Sequence, residues 1–163
     1  MFEIIFTGNQ IAEINLSNNH VLASLHCMNN LLTELDLSEN PNLNYINCES
    51  NKLTFIDVSN NRELHQLSCG FNNITELDVS NNTELTALYF HYNPINEITV
   101  WNNKKLILLT CIGTPMLENR TAFENLAYSL PEFLPTSGQK GLIQVRNSTS
   151  ALWIHDICNL KNW

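Results

Sequence analysis

Hydrophobic residues recur along this chain with a period of 21 residues. Units that begin at Met1, Leu22, Leu43, Leu64, Leu85 and Leu106 follow the pattern L-x-x-L-x-C-x-x-N-x-L-x-x-L-x-V-x-x-N-x-x. The third unit, for example, reads LNYINCESNKLTFIDVSNNRE. The sixth unit keeps the pattern through Met116 and then loses it, because Asn119 and Thr121 stand where apolar residues are expected. A fixed period over most of the chain indicates a repeat architecture.

The spacing within a unit indicates extended chain rather than helix. Apolar residues stand two apart at positions 4 and 6 and again at positions 14 and 16, so each unit has two short extended segments with alternate side chains turned inward. Coils stacked at the strand spacing of about 4.8 Å give a solenoid roughly 30 Å long for six coils. The predicted fold is therefore a repeat solenoid, mainly β with short coils, of about six parallel rungs followed by a C-terminal α/β cap.

Two columns of asparagine accompany the apolar positions. An asparagine tolerates left-handed backbone angles, and its amide can satisfy the backbone groups that stacked corners leave unpaired. We therefore predict that both columns bridge neighbouring coils. The first column is Asn9, Asn30, Asn51, Asn72 and Asn93, and the second is Asn19, Asn40, Asn61, Asn82 and Asn103.

The two ends of the repeat differ. We assign residues 1–116 to the solenoid and residues 117–163 to a helix-strand-helix cap. Thr121 and Glu124 fit a capping box that opens the first helix, a strand is expected at 142–145 with Ile143 and Val145 inward, and a second helix at 151–161. At the other end Met1 already occupies a core position, so we expect upstream residues or a partner to cover the first coil.

Composition and charge exclude some functions. Sixteen acidic against eight basic residues give a formal charge of −8, which disfavours binding to nucleic acid. The longest apolar runs are too short for a membrane span. The opening Met1-Phe-Glu sequence lacks the basic residues and long apolar stretch of a signal peptide.

The cysteines predict packing rather than chemistry. Cys27, Cys48, Cys69 and Cys111 share position 6, where other units carry phenylalanine, so we predict a column of buried, reduced thiols. A column spreads ligands along a line, whereas a metal site needs them to converge. No nucleophile motif, phosphate-binding loop or H-E-x-x-H is found. We predict no cofactor, no metal and no enzymatic activity.

Acidic side chains form columns on another face. Position 15 carries Asp36, Asp57 and Asp78, and stacking them about 5 Å apart is expected to raise the pKa of these carboxyl groups. Position 13 adds Glu13, Glu34, Glu76, Glu97 and Glu118. We interpret this face as solvated rather than as a calcium site.

The strand that carries the cysteines has a second face, formed by positions 3, 5 and 7 of each unit. These positions do not carry the fold, and exposed aromatic and amide side chains on a rigid sheet suit recognition of a protein or glycan. An ordinary exposed sheet face without a partner is the alternative. The candidate binding residues are His26, Tyr45, Asn47, Gln66, Tyr89 and His91.

The cores L-x-x-L-x-C-x-x-N-x-L and the L-D-V-S-x-N segments at 35–40, 56–61 and 77–82 resemble the leucine-rich repeats. The chain is similar in particular to the 21-residue class of these repeats, which has a cysteine column. That class is found in bacterial surface proteins of the internalin J type and in secreted repeat proteins of Bacteroides-like bacteria. The resemblance implies a non-enzymatic recognition module, secreted or on the cell surface. A structural spacer within an envelope protein and an intracellular or injected effector scaffold are the alternatives.

Overall fold

The computed structural model describes residues 2–131 and 142–144. Seven strands form one parallel sheet in sequence order. Each of the first six lies in a different unit, and neighbours pair with a shift of one 21-residue unit, as in Tyr45 with Gln66. The predicted solenoid of six parallel rungs is therefore confirmed. The strands are β1 Phe2–Ile5, β2 Leu22–His26, β3 Tyr45–Asn47, β4 Gln66–Ser68, β5 Ala87–Tyr89, β6 Leu108–Thr110 and β7 Leu142–Gln144.

The core is one continuous column of apolar side chains inside the coils. Cys27, Cys48 and Cys69 occupy consecutive rungs, are fully buried, and carry free thiols, as does Cys111. Because every coil rests its apolar side chains on the next, no coil could bury them alone. The thiol column predicted at position 6 is confirmed.

The second extended segment of each unit differs from its prediction. Residues such as Leu35 and Leu37 at positions 14 and 16 are buried, but the segment is not part of a strand. Neighbouring rungs share a backbone hydrogen bond just before it, such as Lys52 N to Leu32 O at 2.8 Å. A turn follows, closed by the carboxylate of Asp36, which accepts a 3.0 Å hydrogen bond from the backbone of Ser38. This turn bends the chain away from the geometry of a β-ladder.

Both asparagine columns bridge the rungs as predicted. In the first, the Asn72 amide donates to the carbonyls of Cys69 in its own rung and Cys48 in the previous one, both at 3.0 Å. Its side-chain oxygen accepts from the Leu53 backbone at 3.0 Å. In the second, the Asn82 amide donates at 2.9 Å to the carbonyls of Val58 and Asn61.

The two ends of the stack differ in burial. Phe2 and Ile5 in β1 are 65% and 64% exposed, and Ile4 and Phe6 are only partly buried. The last coil is covered by a 3-10 helix Pro115–Glu118 and by helix α1, Arg120–Ser129. Both helices contribute fully buried residues to the core.

The predicted capping box at the start of α1 is wrong. The N-cap is Asn119, whose side chain accepts from the Ala122 backbone at 3.2 Å. Glu124 forms an ion pair with Arg120 at 2.7 Å instead of reaching back to Thr121. The break in the repeat at Asn119 is thus where the helix begins.

The final described element continues the sheet. β7 pairs in parallel with β6, which confirms the expected strand for residues 142–144. Val145 and the second predicted helix at 151–161 lie outside the described residues, and the inward orientation predicted for the Ile143 side chain stays a prediction. No helix among the described residues is long and apolar enough to cross a membrane.

Candidate functional site

The cysteine-strand face consists of the side chains at positions 3, 5 and 7 that point away from the core. The parallel register sets His26 beside Asn47, and Tyr45 beside Gln66. Tyr89 lies on β5, and His91 follows two residues later. All six predicted residues therefore lie on one face. Each is half-buried rather than exposed, because side chains on adjacent rungs pack against one another.

One end of this face holds a preorganised group around His26. Its ring stacks on Tyr45 with centroids 4.6 Å apart and planes at 26°. Its Nε2 lies 2.9 Å from the Glu3 carboxylate and 3.0 Å from the Ser24 hydroxyl. These contacts fix the orientations of the histidine and tyrosine rings, so little side-chain entropy would be lost on binding.

The middle of the face is polar. The side-chain oxygen of Asn47 accepts from the Glu49 backbone at 3.2 Å, and its amide lies 3.7 Å from the Met28 sulfur. Gln66 makes a long 3.5 Å contact to Ser68. The amide of Gln66 is therefore the less tightly held of the two.

Tyr89 connects the middle to the far end. Burial raises the pKa of its hydroxyl, and the nearby Tyr45 and Glu49 raise it further. The hydroxyl therefore stays protonated at neutral pH and can both donate and accept a hydrogen bond.

The far end contains an aromatic cluster that the sequence reasoning identified only in part. The His91 ring lies over Gly70, where a methyl group would come within 2.5 Å of it. Phe71 stacks on Tyr92 with centroids 4.6 Å apart, and its ring meets His91 edge-on at 5.0 Å. We call Phe71, His91 and Tyr92 the aromatic ridge. Phe71 and Tyr92 were missed because they stand at position 8, outside the alternation that defines the face.

Three thiols of the column, those of Cys27, Cys48 and Cys69, are unreactive at neutral pH. Burial raises the pKa of Cys27 and of Cys69 to about 12, and that of Cys48 well above its ordinary value. Thiols in this state are poor nucleophiles and poor metal ligands at neutral pH. Among the described residues, no three histidine, cysteine or acidic side chains are grouped so that they could hold a metal ion.

Two carboxyl groups of the aspartate column, those of Asp36 and Asp57, do not behave as predicted. Hydrogen bonds from the backbone and side chain of Ser38 lower the pKa of Asp36, and those from the side chain and backbone of Ser59 lower that of Asp57. Local hydrogen bonding outweighs repulsion between the stacked carboxylates, so the expected rise is wrong for these two groups. Beside them runs an open groove of about 830 Å³, in which Phe55 is 62% exposed at a position where neighbouring units carry glutamate.

Comparison with known proteins gives a consistent picture of the fold. No protein-family model and no curated protein sequence matches the chain. A solved structure described as the functional domain of InlJ from Listeria monocytogenes, which includes a cysteine ladder, is 36% identical with a TM-score of 0.66. The match covers 70% of this chain and 25% of that one. The chain thus spans about a quarter of that relative.

More distant structures share the fold alone. The internalin InlF from Listeria monocytogenes is 19% identical with a TM-score of 0.65, over 87% of this chain and 40% of that one. A chain of the LRIM1/APL1C complex is also 19% identical, with a TM-score of 0.61 over 70% of this chain and 23% of that one.

Proposed function

Since the chain is a leucine-rich-repeat solenoid of the cysteine-ladder type, we propose that it is a non-enzymatic module that recognises a protein through its cysteine-strand face. Leucine-rich-repeat solenoids typically serve as protein-interaction modules, and their stacked rungs offer extended binding surfaces. The proposal extends this general role to a particular face and particular residues.

One observation carries the choice of face: the aromatic rings at one end of it are held in place by side chains of the same face and not by the core. His26 stacks on Tyr45 at 4.6 Å and pairs with Glu3 at 2.9 Å, yet none of the three belongs to the hydrophobic core. Rigid, half-buried aromatic side chains of this kind are typical of interface hot spots. They support recognition rather than a role as a mere spacer.

We further propose that the protein works outside the cell or at its surface. Support comes from the similarity to InlJ, whose described domain has the same cysteine ladder. Accessibility of the protein to an added protease on intact cells of the source organism tests this, and protection until the cells are lysed would contradict it.

The experiment on the face compares two variants of the full chain. Tyr45→Ala with Tyr89→Ala alters the cysteine-strand face, and Glu76→Ala with Glu97→Ala alters the opposite side as a matched control. The parent chain is first screened against arrays of purified extracellular proteins and of glycans. Proteins that bind are then measured with both variants by calorimetry.

We expect the tyrosine variant to lose at least tenfold in affinity for a bound protein, because truncating interface aromatics commonly costs about 2 kcal/mol or more. The glutamate variant should bind like the parent. Circular dichroism and cooperative unfolding confirm that both are folded. Equal binding by the tyrosine variant would reject this face, and binding to glycans alone would reject a protein partner.

A further inference from the structure

The corner that follows the cysteine strand has the same unusual backbone in every unit. Its residue stands at position 8 and has a positive φ, between 51° and 74°. Only glycine, and to a lesser degree asparagine, adopts this conformation without steric cost. The six residues are Gly8, Asn29, Ser50, Phe71, Tyr92 and Gly113.

Two of these corners carry a residue that the backbone disfavours. Phe71 and Tyr92 are bulky, and a bulky residue at positive φ is an outlier. Packing in the core does not offset the steric cost of the positive φ, since the two side chains are 49% and 50% exposed. Stability of the repeat therefore does not explain them, and strain of this kind is concentrated at functional sites.

The surroundings of the two rings hold them in a fixed arrangement. Tyr92 lies over Gly113, where a methyl group would come within 2.5 Å of its ring. Phe71 stacks on the Tyr92 ring at an interplanar angle of 17°. The corner residue of the rung before Phe71 is Ser50, which is small.

The charge around the aromatic ridge is one-sided. Glu49 precedes Ser50, on the rung next to Phe71, whereas Glu3 lies at the other end of the face and pairs with His26. Among residues 2–131 no lysine or arginine stands at positions 3, 5, 7 or 8 of a unit, where the basic side chains are the histidines His26 and His91. The lysines and arginines of residues 2–131 all stand at other positions of their units: Lys52, Arg62, Lys104, Lys105 and Arg120.

We propose that the aromatic ridge binds an arginine side chain in a basic segment of the partner protein, with the guanidinium against Phe71 and paired with Glu49. The planar guanidinium stacks on aromatic faces and matches a carboxylate with two hydrogen bonds. The inference rests on the proposed function and specifies the chemistry of its partner.

The test uses three octapeptides with the full chain. One alternates arginine with glycine, the second replaces arginine by citrulline, which is neutral and of the same shape, and the third replaces it by glutamate. Binding is measured by calorimetry at low and at physiological salt. The ridge variant combines Phe71→Asn with Tyr92→Asn, and Asn29 shows that this corner accepts asparagine.

We expect the arginine peptide to bind the parent chain and the other two peptides to bind at least tenfold more weakly. The ridge variant should lose about tenfold in affinity for the arginine peptide while unfolding at the same or a higher denaturant concentration, because asparagine relieves the strain. Glu49→Gln should weaken binding several-fold at low salt and less at physiological salt, whereas Tyr92→Phe should bind like the parent.

Four results would overturn the inference. These are equal binding of the citrulline peptide, no binding of the arginine peptide, unchanged arginine binding by the ridge variant, and loss of arginine binding in the matched control Glu34→Gln with Glu76→Gln. None of them affects the proposed function if the Tyr45 and Tyr89 substitutions still weaken binding of a partner protein at least tenfold. If those substitutions leave capture unchanged, the proposed function fails on its own evidence.

Discussion

Replacing Asn72 by alanine removes one amide from the first asparagine column and tests how the rungs are joined. The side chain donates to the carbonyls of Cys48, Cys69 and Gly70 at 3.0 to 3.2 Å and accepts from Leu53 at 3.0 Å. All of these atoms are buried. Alanine can replace none of these hydrogen bonds.

The expected loss follows from the partners that remain. Asn93 still donates to the Cys69 carbonyl at 2.9 Å and Asn51 to that of Cys48 at 3.0 Å, so each carbonyl loses one of two amide bonds, at about 0.5–1.5 kcal/mol each. The Leu53 N–H group loses the acceptor that the Asn72 side chain provides, at about 1–3 kcal/mol for a buried donor left unsatisfied. We therefore expect the free energy of unfolding to fall by about 4 kcal/mol.

The assay is urea unfolding followed by circular dichroism, where about 4 kcal/mol corresponds to a midpoint lower by roughly 2 M. Asn9→Ala is the matched control, because Asn9 occupies the same position in the exposed first rung and its side chain bonds only within that rung. It should cost less than about 1 kcal/mol. Asn72→Asp, similar in shape but without N–H donors, should be at least as damaging at pH 7 as the alanine change. Similar midpoints for Asn72→Ala and Asn9→Ala would refute this account of the corners.

Three further outcomes are expected. The four buried thiols of the repeat should resist alkylation in the native protein at pH 7.5 and all react after denaturation, as measured by mass; a disulfide among them would contradict the thiol column. Gly113→Ala should lower the free energy of unfolding by about 1 kcal/mol more than Gly8→Ala, because both strain a positive φ but only the first meets Tyr92; equal losses would mean that this contact is soft. Asp57→Asn should destabilise the protein more at pH 7 than at pH 3: hydrogen bonds from Ser59 lower the folded pKa of Asp57, so its stabilisation is present above the unfolded pKa and is lost as pH falls through the folded value. A difference independent of pH would rule this out.

The repeat allowed most of the fold to be predicted, because six stacked copies turn a weak local pattern into a strong one. A single L-x-C segment is compatible with many structures. Cys27, Cys48 and Cys69 at a fixed interval, however, require the same environment three times over. The asparagine bridges followed from the same reasoning. Periodicity carries this information only as far as it lasts, and it stops at the cap.

The errors arose where a local interaction competed with the pattern. Asn119 caps helix α1, although a breakdown of the repeat drew attention to Thr121 and Glu124 two and five residues later. Asp36 and Asp57 were treated as stacked charges, but each first accepts hydrogen bonds from the serine two residues ahead. At these positions hydrogen bonds over two or three residues decide the outcome, and a column of identical residues in the sequence does not reveal them.

The candidate site was predicted only as a face, because the side chains that distinguish one part of the face from another depart from the repeat. Counting alternate residues put His91 on the cysteine-strand face. The position of its ring there depends on Gly70 of the adjoining rung, which has no side chain where the ring lies. Phe71 and Tyr92 depart from the small residues at their corner in the same way. The requirements of the fold explain the residues that follow the repeat. They do not explain Phe71 and Tyr92, which are bulky residues at positive φ and are about half exposed. Two such positions, Phe71 and Tyr92, are stacked on each other at 4.6 Å on adjacent rungs, and this exposed, strained contact is the reason we propose the ridge as the part of the surface that selects a partner.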